Sequence, residues 1–218
     1  MAKNIEMYRD LQLSGPRARR AELRAALIAA PVAPCRVDLE RSNEVRETGM
    51  ASEDVLLFER EDSDDLPAAG LTLWENEEGY SVPNIVPLEM SELSFTQYNS
   101  ILDDFISRIA GPAAAGNGYA LHTSRGAQTI DDWVSEDVAD KLRRFSRLAN
   151  KSTGASHPMD ESRWFDFLIA FHRSGGSLHA DQLARWLREV EGWREDMAHR
   201  LASDFEKGTG LLAHYDRS

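Results

Sequence analysis

The spacing of hydrophobic and polar positions near the start of the chain predicts a strand followed by a helix. The segment Ile5–Leu13 alternates imperfectly between apolar and polar side chains, as a half-buried strand does, and residues 14–16 (SGP) supply a turn. Residues 17–30 are rich in Ala, Leu and Arg, which favour a helix, and Leu23 and Leu27 lie on one face of it. The chain is therefore expected to open as β then α, with that leucine face buried.

The pattern from residue 36 to residue 125 predicts strands around one amphipathic helix. Residues 36–53 leave two alternatives open, a polar edge strand or a long loop. The next elements are a strand at 55–61, a hairpin at 70–88 with its turn at 76–79, a helix from a capping box at 94–97 to 111–118, and a strand at 119–124. The order β-α-β-β-α-β over residues 1–125 is that of a ferredoxin-like (split βαβ) domain with an antiparallel sheet.

Beyond residue 128 the apolar positions recur only at helical spacing, which predicts a C-terminal α-helical bundle over residues 126–218, packed on the first domain. Three main helices are expected, at 136–149, from Pro158 to Gly175, and at 178–207 after a Ser177 cap. The apolar stripe of the first of these consists of Val138, Leu142, Phe145 and Leu148. The fold class is therefore α+β, in two domains.

One glycine and three tryptophans predict further features of the helical part, namely an irregularity in its last helix and an aromatic core. Gly192 lies inside the third predicted helix, where glycine costs about 1 kcal/mol of helix propensity, so a kink or a close neighbour is expected there. Trp164, Trp186 and Trp193 each fall on an apolar helical stripe. The helical part is therefore expected to be built around an aromatic core.

Charge narrows the classes of function. The 218 residues carry a formal net charge of −12, which argues against binding of duplex nucleic acid, because that affinity depends on Lys and Arg contacts to phosphates. Residues 37–65 hold 11 Asp or Glu and 3 Arg, a balance of −8. This acidic segment is expected to be either a solvated surface or a docking surface for a basic partner protein.

The sequence predicts a soluble, cytoplasmic protein. The opening residues are charged, and the longest apolar run, residues 25–35, is too short to cross a membrane and is interrupted by Pro31 and Pro34. The single cysteine, Cys35, excludes an internal disulfide and a Cys-based zinc site, and it is expected to be buried. No cofactor and no metal site are predicted.

Residues 149–160 (ANKSTGASHPMD) form a polar connector between two predicted helices and concentrate the candidate chemistry of the chain. A Walker A phosphate loop is excluded here, because Phe145 and Asn150 occupy its two glycine positions and a helix precedes it where a strand is required. A Ser-His-Asp hydrolase is disfavoured, because adjacency in sequence does not supply the geometry of a triad and the chain has no Gly-x-Ser-x-Gly elbow.

The connector could still bind an anion. A basic stripe at the end of one helix meets a Ser/Thr/Gly turn and the start of the next helix, where backbone N–H groups bind anions readily. The candidate anion-binding residues are Arg143, Arg147, Lys151, Ser152, Thr153, His157 and Arg163. The alternative is that the connector only ends one helix and begins another, with its arginines paired to surface carboxylates.

A minor alternative is a nuclease. Helical ribonucleases use an Arg followed a few residues later by a His, and this chain has Arg173 with His179 and Arg194 with His199. The first pair crosses the predicted helix break at 175–176, whereas Arg194 and His199 lie on one predicted helix. The chain is rich in Arg, so such pairs are also expected by chance.

The leading prediction is an intracellular acidic protein-interaction protein, of the kind that acts as an antitoxin, an immunity protein or a defence-system partner. It depends on the acidic segment and on the lack of a convincing catalytic motif. Two alternatives stay open, an enzyme acting on nucleotides or RNA through the 150–163 corner or through Arg194 and His199, and a sensor that binds a small anion at that corner.

Overall fold

The computed structural model describes residues 4–30, 32–47, 54–63 and 66–218. The strands in these ranges are β1 (Ile5–Glu6), β2 (Leu11–Ser14), β3 (Cys35–Asp38), β4 (Val55–Arg60), β5 (Ala69–Glu75), β6 (Gly79–Val82), β7 (Ile85–Pro87), β8 (Ala120–Thr123) and β9 (Ala127–Gln128). The α-helices are α1 (Arg20–Ala29), α2 (Leu39–Glu47), α3 (Phe95–Phe105), α4 (Gly111–Asn117), α5 (Glu136–Leu148), α6 (Pro158–Ser174), α7 (Ala180–Arg185) and α8 (Glu195–Tyr215). The protein is of mixed α+β class, which confirms that part of the prediction. No helix among these residues is both long and apolar enough to cross a membrane.

Contacts divide the chain into two compact units. The sheet unit is Met7–Gly126, and the helical unit joins the residues up to Glu6 with Ala127–Ser218. Strand β1 belongs to the helical unit because it pairs with β9, with Ile5 opposite Gln128. The predicted division after residue 125, with the second domain packed on the first, stays a prediction.

The sheet unit holds an antiparallel sheet in the order β3-β4-β5-β6-β2-β8, with β7 beside β5. The hairpin of β5 and β6 turns at Asn76, whose Oδ1 accepts hydrogen bonds from the N–H groups of Glu78 and Gly79 at 3.1 and 2.9 Å. The predicted hairpin turn is therefore confirmed. The ferredoxin-like topology is not confirmed, because β3, α2 and β4 intervene between α1 and this hairpin.

The core of the sheet unit contains the predicted leucine face of α1. Leu23 and Leu27 are fully buried, and Cys35 at the start of β3 is buried, as expected. Phe105 of α3 meets Phe58 of β4 edge to face, with ring centroids 5.1 Å apart. These contacts bury one face of the sheet against helices.

Several predicted elements of the sheet unit differ from the structure. The predicted strand Ile5–Leu13 is two strands in different sheets, because β1 pairs with β9 while β2 pairs with β6 and β8. The helix from 95 ends within the predicted range 111–118, at the left-handed Gly118, but a π-helical segment, Ile106–Ala110, that was not predicted separates α3 from α4. Residues 36–38 belong to β3 at the edge of the sheet, as the edge-strand alternative predicted, but residues 39–47 form the helix α2, which neither alternative included. Residues 48–53 of that prediction lie outside the described residues.

The predicted aromatic core of the helical unit is confirmed. Trp164, Trp186 and Trp193 are buried, and the ring of Phe145 lies 4.9 Å from Trp164 and 5.7 Å from Trp193, centroid to centroid. Leu148 was placed on the same stripe as Phe145, and that prediction is wrong. It is 56% exposed because α5 ends there.

The predicted helix 178–207 is broken once, at residues 191–194, before α8 begins at Glu195. His179, not Ser177, occupies the N-cap of α7, and a π-helical segment, Trp186–Val190, follows α7. Gly192 has φ +71, and no atom lies within 4 Å of the position of a Cβ on it. A right-handed helix cannot continue through this conformation, so Gly192 marks a full break before α8 and not the expected kink or close neighbour.

Candidate functional site

The connector between α5 and α6 is a compact turn that ends one helix and begins the next. After Leu148, Asn150 and Gly154 form an isolated β-bridge. Gly154 has φ +65, and a Cβ atom on it would lie 2.7 Å from Sδ of Met197. The backbone conformation therefore favours glycine here, and a larger residue would also have to displace the thioether of Met197.

His157 caps the start of α6. Its Nδ1 atom accepts a hydrogen bond from the N–H group of Met159 at 3.3 Å, and Pro158 occupies the first helical turn. The buried Asp160 accepts a hydrogen bond from Nη1 of Arg163 at 2.6 Å. His157 and Arg163, both candidate anion ligands, are thus engaged in forming this helix start.

The other three candidate cations lie on α5 or just after it. Arg143 donates to the carboxylate of Asp131, and this bond raises the pKa of Arg143 against the opposing effect of its partial burial. Arg147 is exposed, with its Nε 3.4 Å from the carbonyl oxygen of Arg143. Lys151 donates from its ammonium group to the carbonyl oxygen of Glu191. Arg143 and Lys151 are therefore already occupied within the helical unit.

Ser152 and Thr153 complete the candidate set. The N–H and hydroxyl groups of Ser152 both donate to Oδ1 of Asn150, at 2.9 and 2.7 Å, so this serine belongs to the turn itself. Thr153 lines a groove of about 340 Å³ between α6 and α8, and none of the five candidate cations lines it. The anion site stays a prediction that these contacts do not favour.

The two residues of the candidate nuclease pair, Arg194 and His199, each lie next to a different acidic residue. Arg194 holds Asp196 with two N–H···O bonds of 3.1 and 3.0 Å. His199 has its Nε2 atom 3.9 Å from Oε1 of Glu195. Within the part of the chain that the structure describes, no group of three or more His, Cys, Asp or Glu could hold a metal ion.

A buried polar network beside the connector was not anticipated from the sequence. Ser146 is fully buried, donates to Oε2 of Glu191 at 2.7 Å and accepts from Nε1 of Trp193 at 2.7 Å. Lys151 joins it through the carbonyl oxygen of Glu191. The network ties α5 to the break at residues 191–194, which explains why a lysine stands at position 151. No short sequence spacing reveals it, because its members come from three separate segments.

Arg20 and Arg24 of α1 form ion pairs within the sheet unit, although Nε of Arg20 is buried without a hydrogen-bond partner. Arg20 pairs with Glu75 and Arg24 with Asp54, each at 2.6 Å. The hydroxyl of Tyr80 donates to the same Asp54 at 2.9 Å, and burial together with this carboxylate raises the pKa of Tyr80. The partners of these charged side chains all belong to the sheet unit.

Within the acidic segment, the exposed face of α2 carries three carboxylates on one side of the helix. Glu40, Glu44 and Glu47 lie at i, i+4 and i+7, so they form one stripe, and all three are exposed. They have no ion-pair partner among the described residues. The helical spacing of these three glutamates could have indicated a helix from the sequence. The segment has no matching apolar face, however, and so it was not predicted as a helix.

The attachment of α2 to the sheet lies opposite this stripe. Ser42 is the one buried residue of α2, and its hydroxyl donates to the carbonyl oxygen of Asp38 and accepts from the N–H group of Leu57 at 2.9 Å. The two arginines of α2 have other neighbours, since Arg41 lies 4.0 Å from Glu59 and Arg46 donates to Asn43. The acidic stripe is thus left facing solvent.

Comparison with known proteins gives one family match. A model described as "Domain of unknown function (DUF1889)" matches residues 136–209, from the start of α5 into α8. The match contains the connector and the buried network, and it leaves the whole sheet unit outside. No curated protein and no solved structure matches the chain.

Proposed function

We propose that this chain is an intracellular acidic protein-interaction protein with a basic protein partner, and that α2 forms part of the docking surface. The observation that carries the proposal is the solvent-facing stripe of Glu40, Glu44 and Glu47 on a helix held to the sheet by Ser42. A helix that buries so little contributes little to the core, so its charges are available for a partner.

Electrostatics supports a basic partner. The whole chain carries −12, and the stripe concentrates three unpaired carboxylates on two helical turns. A surface of one sign steers an oppositely charged protein toward itself and raises the association rate by roughly 10- to 1,000-fold, more at low ionic strength. A docking role of this kind, as in an antitoxin, an immunity protein or a defence-system partner, depends on a charged surface and needs no catalytic pocket.

The strand order suggests where α2 belongs in the fold. In the sheet, β8 lies beside β2, and β6 and β5 follow, a strand order that supports a split βαβ unit within the larger sheet. On this proposal β3, α2 and β4 are an addition that extends one end of a ferredoxin-like sheet. An added edge that carries an exposed charged helix is a natural position for a partner to dock.

Affinity capture from the native cell extract tests this function against the alternatives. The full chain should retain a stoichiometric basic protein, and the double variant Lys151→Ala/His157→Ala should retain it equally, because neither residue belongs to α2. The enzyme alternative predicts instead that the purified chain degrades RNA and that His157→Ala or His199→Ala abolishes this. Such activity, with no captured protein, would overturn the proposal.

A further inference from the structure

The helix α6 exposes an unusual stripe along its groove with α5. Asp166, Ile169, Ala170 and Arg173 all line this groove, whose volume is about 410 Å³. They lie at i, i+3, i+4 and i+7, so they share one face of the helix. Ile169 is 38% exposed at the centre, with an acidic residue at one end and a basic residue at the other.

The two charges of this stripe are available for an external contact. Neither Asp166 nor Arg173 has a hydrogen-bond or ion-pair partner among the described residues. On the opposite wall of the groove, Lys141 and Asp137 of α5 satisfy each other. The groove therefore presents one free carboxylate and one free guanidinium, about 10 Å apart along the helix axis.

We infer that two copies of this chain associate through α6 in an antiparallel, two-fold symmetric pair. In a two-fold symmetric interface every contact occurs twice: if residue i of one copy contacts residue j of the other, then residue j of the first copy contacts residue i of the second. The midpoint between Asp166 and Arg173 falls between Ile169 and Ala170. A two-fold axis through that point sets Asp166 opposite the partner's Arg173, twice, with Ile169 and Ala170 meeting at the centre.

Charge complementarity points to a second copy as the occupant. Two chains of net charge −12 repel each other over most of their surfaces, so they can meet only where the charge is balanced. The α6 stripe has one charge of each sign in the order that antiparallel self-pairing requires. A basic partner would be attracted more strongly by the three carboxylates of α2 than by this stripe of mixed charge. The contact through α6 is therefore independent of the proposed function.

Charge-reversed variants of the full chain test the pairing. Wild type should sediment at twice the chain mass of 24.5 kDa in the upper part of a dilution series. Asp166→Arg makes both ends of the stripe basic, and Arg173→Asp makes both ends acidic, so each variant alone should fall to the mass of one chain. An equimolar mixture of the two should regain the twofold mass, because every contact across the axis is then between opposite charges.

The controls are Glu206→Arg and Lys207→Asp, matched changes of exposed residues on α8, and both should keep the wild-type mass. The inference is overturned by a wild type of single-chain mass at every concentration, by an α6 variant that keeps the twofold mass, or by a mixture that stays dissociated although both variants keep their helical circular dichroism. If a single variant loses that signal, the double variant Asp166→Arg/Arg173→Asp decides, with twofold mass expected and single-chain mass contradicting.

Discussion

Lys151 shows how single residues of the connector are used. Its ammonium group satisfies the carbonyl oxygen of Glu191 at the end of a π-helical segment, where the next residue, Gly192, turns the chain away. The same segment is fixed from the other side by Ser146 and Trp193. A basic residue in a polar turn therefore serves helix termination here, as lysines near helix C-termini commonly do.

Ser146→Ala should destabilise the helical unit. The change leaves the indole N–H of Trp193 and one carboxylate oxygen of Glu191 without their buried partner, which costs about 1–3 kcal/mol. Urea unfolding followed by tryptophan fluorescence measures the loss. Ser203→Ala, on the exposed side of α8, is the matched control and should change the free energy of unfolding by less than about 0.5 kcal/mol. Equal stabilities of the two variants would show that the network contributes nothing.

Tyr98 should contribute to alkaline unfolding. Burial, with a further effect of Asp10, raises the pKa of Tyr98 from 10.0 to about 12. The folded state thus prefers the protonated phenol, so the stabilisation is complete below pH 10 and is lost as the pH rises through 12. Tyr98→Phe should flatten the decline of the unfolding free energy over this window. The exposed Tyr215→Phe is the control for loss of one phenol, and an equal effect from both would refute the assignment to Tyr98.

At the scale of elements, α2 differs from the other α-helices of the described residues because it buries no apolar side chain. It has no apolar stripe, and its one buried residue, Ser42, accepts a hydrogen bond from the N–H group of Leu57 in β4 and donates one to the carbonyl oxygen of Asp38 in β3. Propensity and packing do not account for such a helix, so its order depends on local polar contacts. This is the physical reason that the sequence pattern left residues 36–53 between strand and loop.

Ser42→Ala should loosen α2 without unfolding the sheet. The variant removes the acceptor of the Leu57 N–H group and the donor to Asp38, so amide hydrogen exchange should accelerate in residues 39–47. Exchange in α3 should stay unchanged. Glu44→Ala, in the same helix at an exposed position whose side chain has no hydrogen-bond partner among the described residues, is the matched control. Unchanged exchange in Ser42→Ala would mean that other contacts hold α2.

Elements with a strong apolar repeat were predictable from the sequence, and elements defined by distant partners were not. The capping box at Ser94 and the buried face of α1 follow from local spacing, and both are present. The separation of β1 from β2 depends on pairing with β9, over a hundred residues away, which no local pattern contains. The π-helical segments and the break at Gly192 likewise arise within runs whose apolar spacing is that of a continuous helix.

The candidate site illustrates the same division. The turn at Gly154 and the helix start at Pro158 were readable from residue type alone, whereas α5 already ends at Leu148 with Ala149 as its C-cap. The partners of Arg143 and Lys151 were not, because Asp131 and Glu191 approach them through the tertiary fold. Sequence reasoning therefore located the corner correctly but could not tell whether its charges were free.

At the scale of the whole molecule, the chain offers two surfaces of different character. The stripe on α2 is wholly acidic, whereas the stripe on α6 carries one charge of each sign. The first suits a basic protein and the second suits another copy of the chain. Because the acidic contact is long-range and exposed, its association rate should fall as ionic strength rises, with a screening length of about 8 Å at physiological salt.

The affinity of the captured basic partner for an α2 variant is the most direct test of the proposed function. Glu40→Gln/Glu44→Gln/Glu47→Gln removes the stripe, and at about 0.5–1 kcal/mol for each exposed contact it should weaken binding by roughly 10- to 100-fold, chiefly through the association rate. The control Glu22→Gln/Glu136→Gln/Glu206→Gln removes as many exposed carboxylates outside α2. We expect surface plasmon resonance to show the loss for the α2 variant and only a small change for the control. Equal affinities of the two variants would contradict the assignment of α2 as the docking surface.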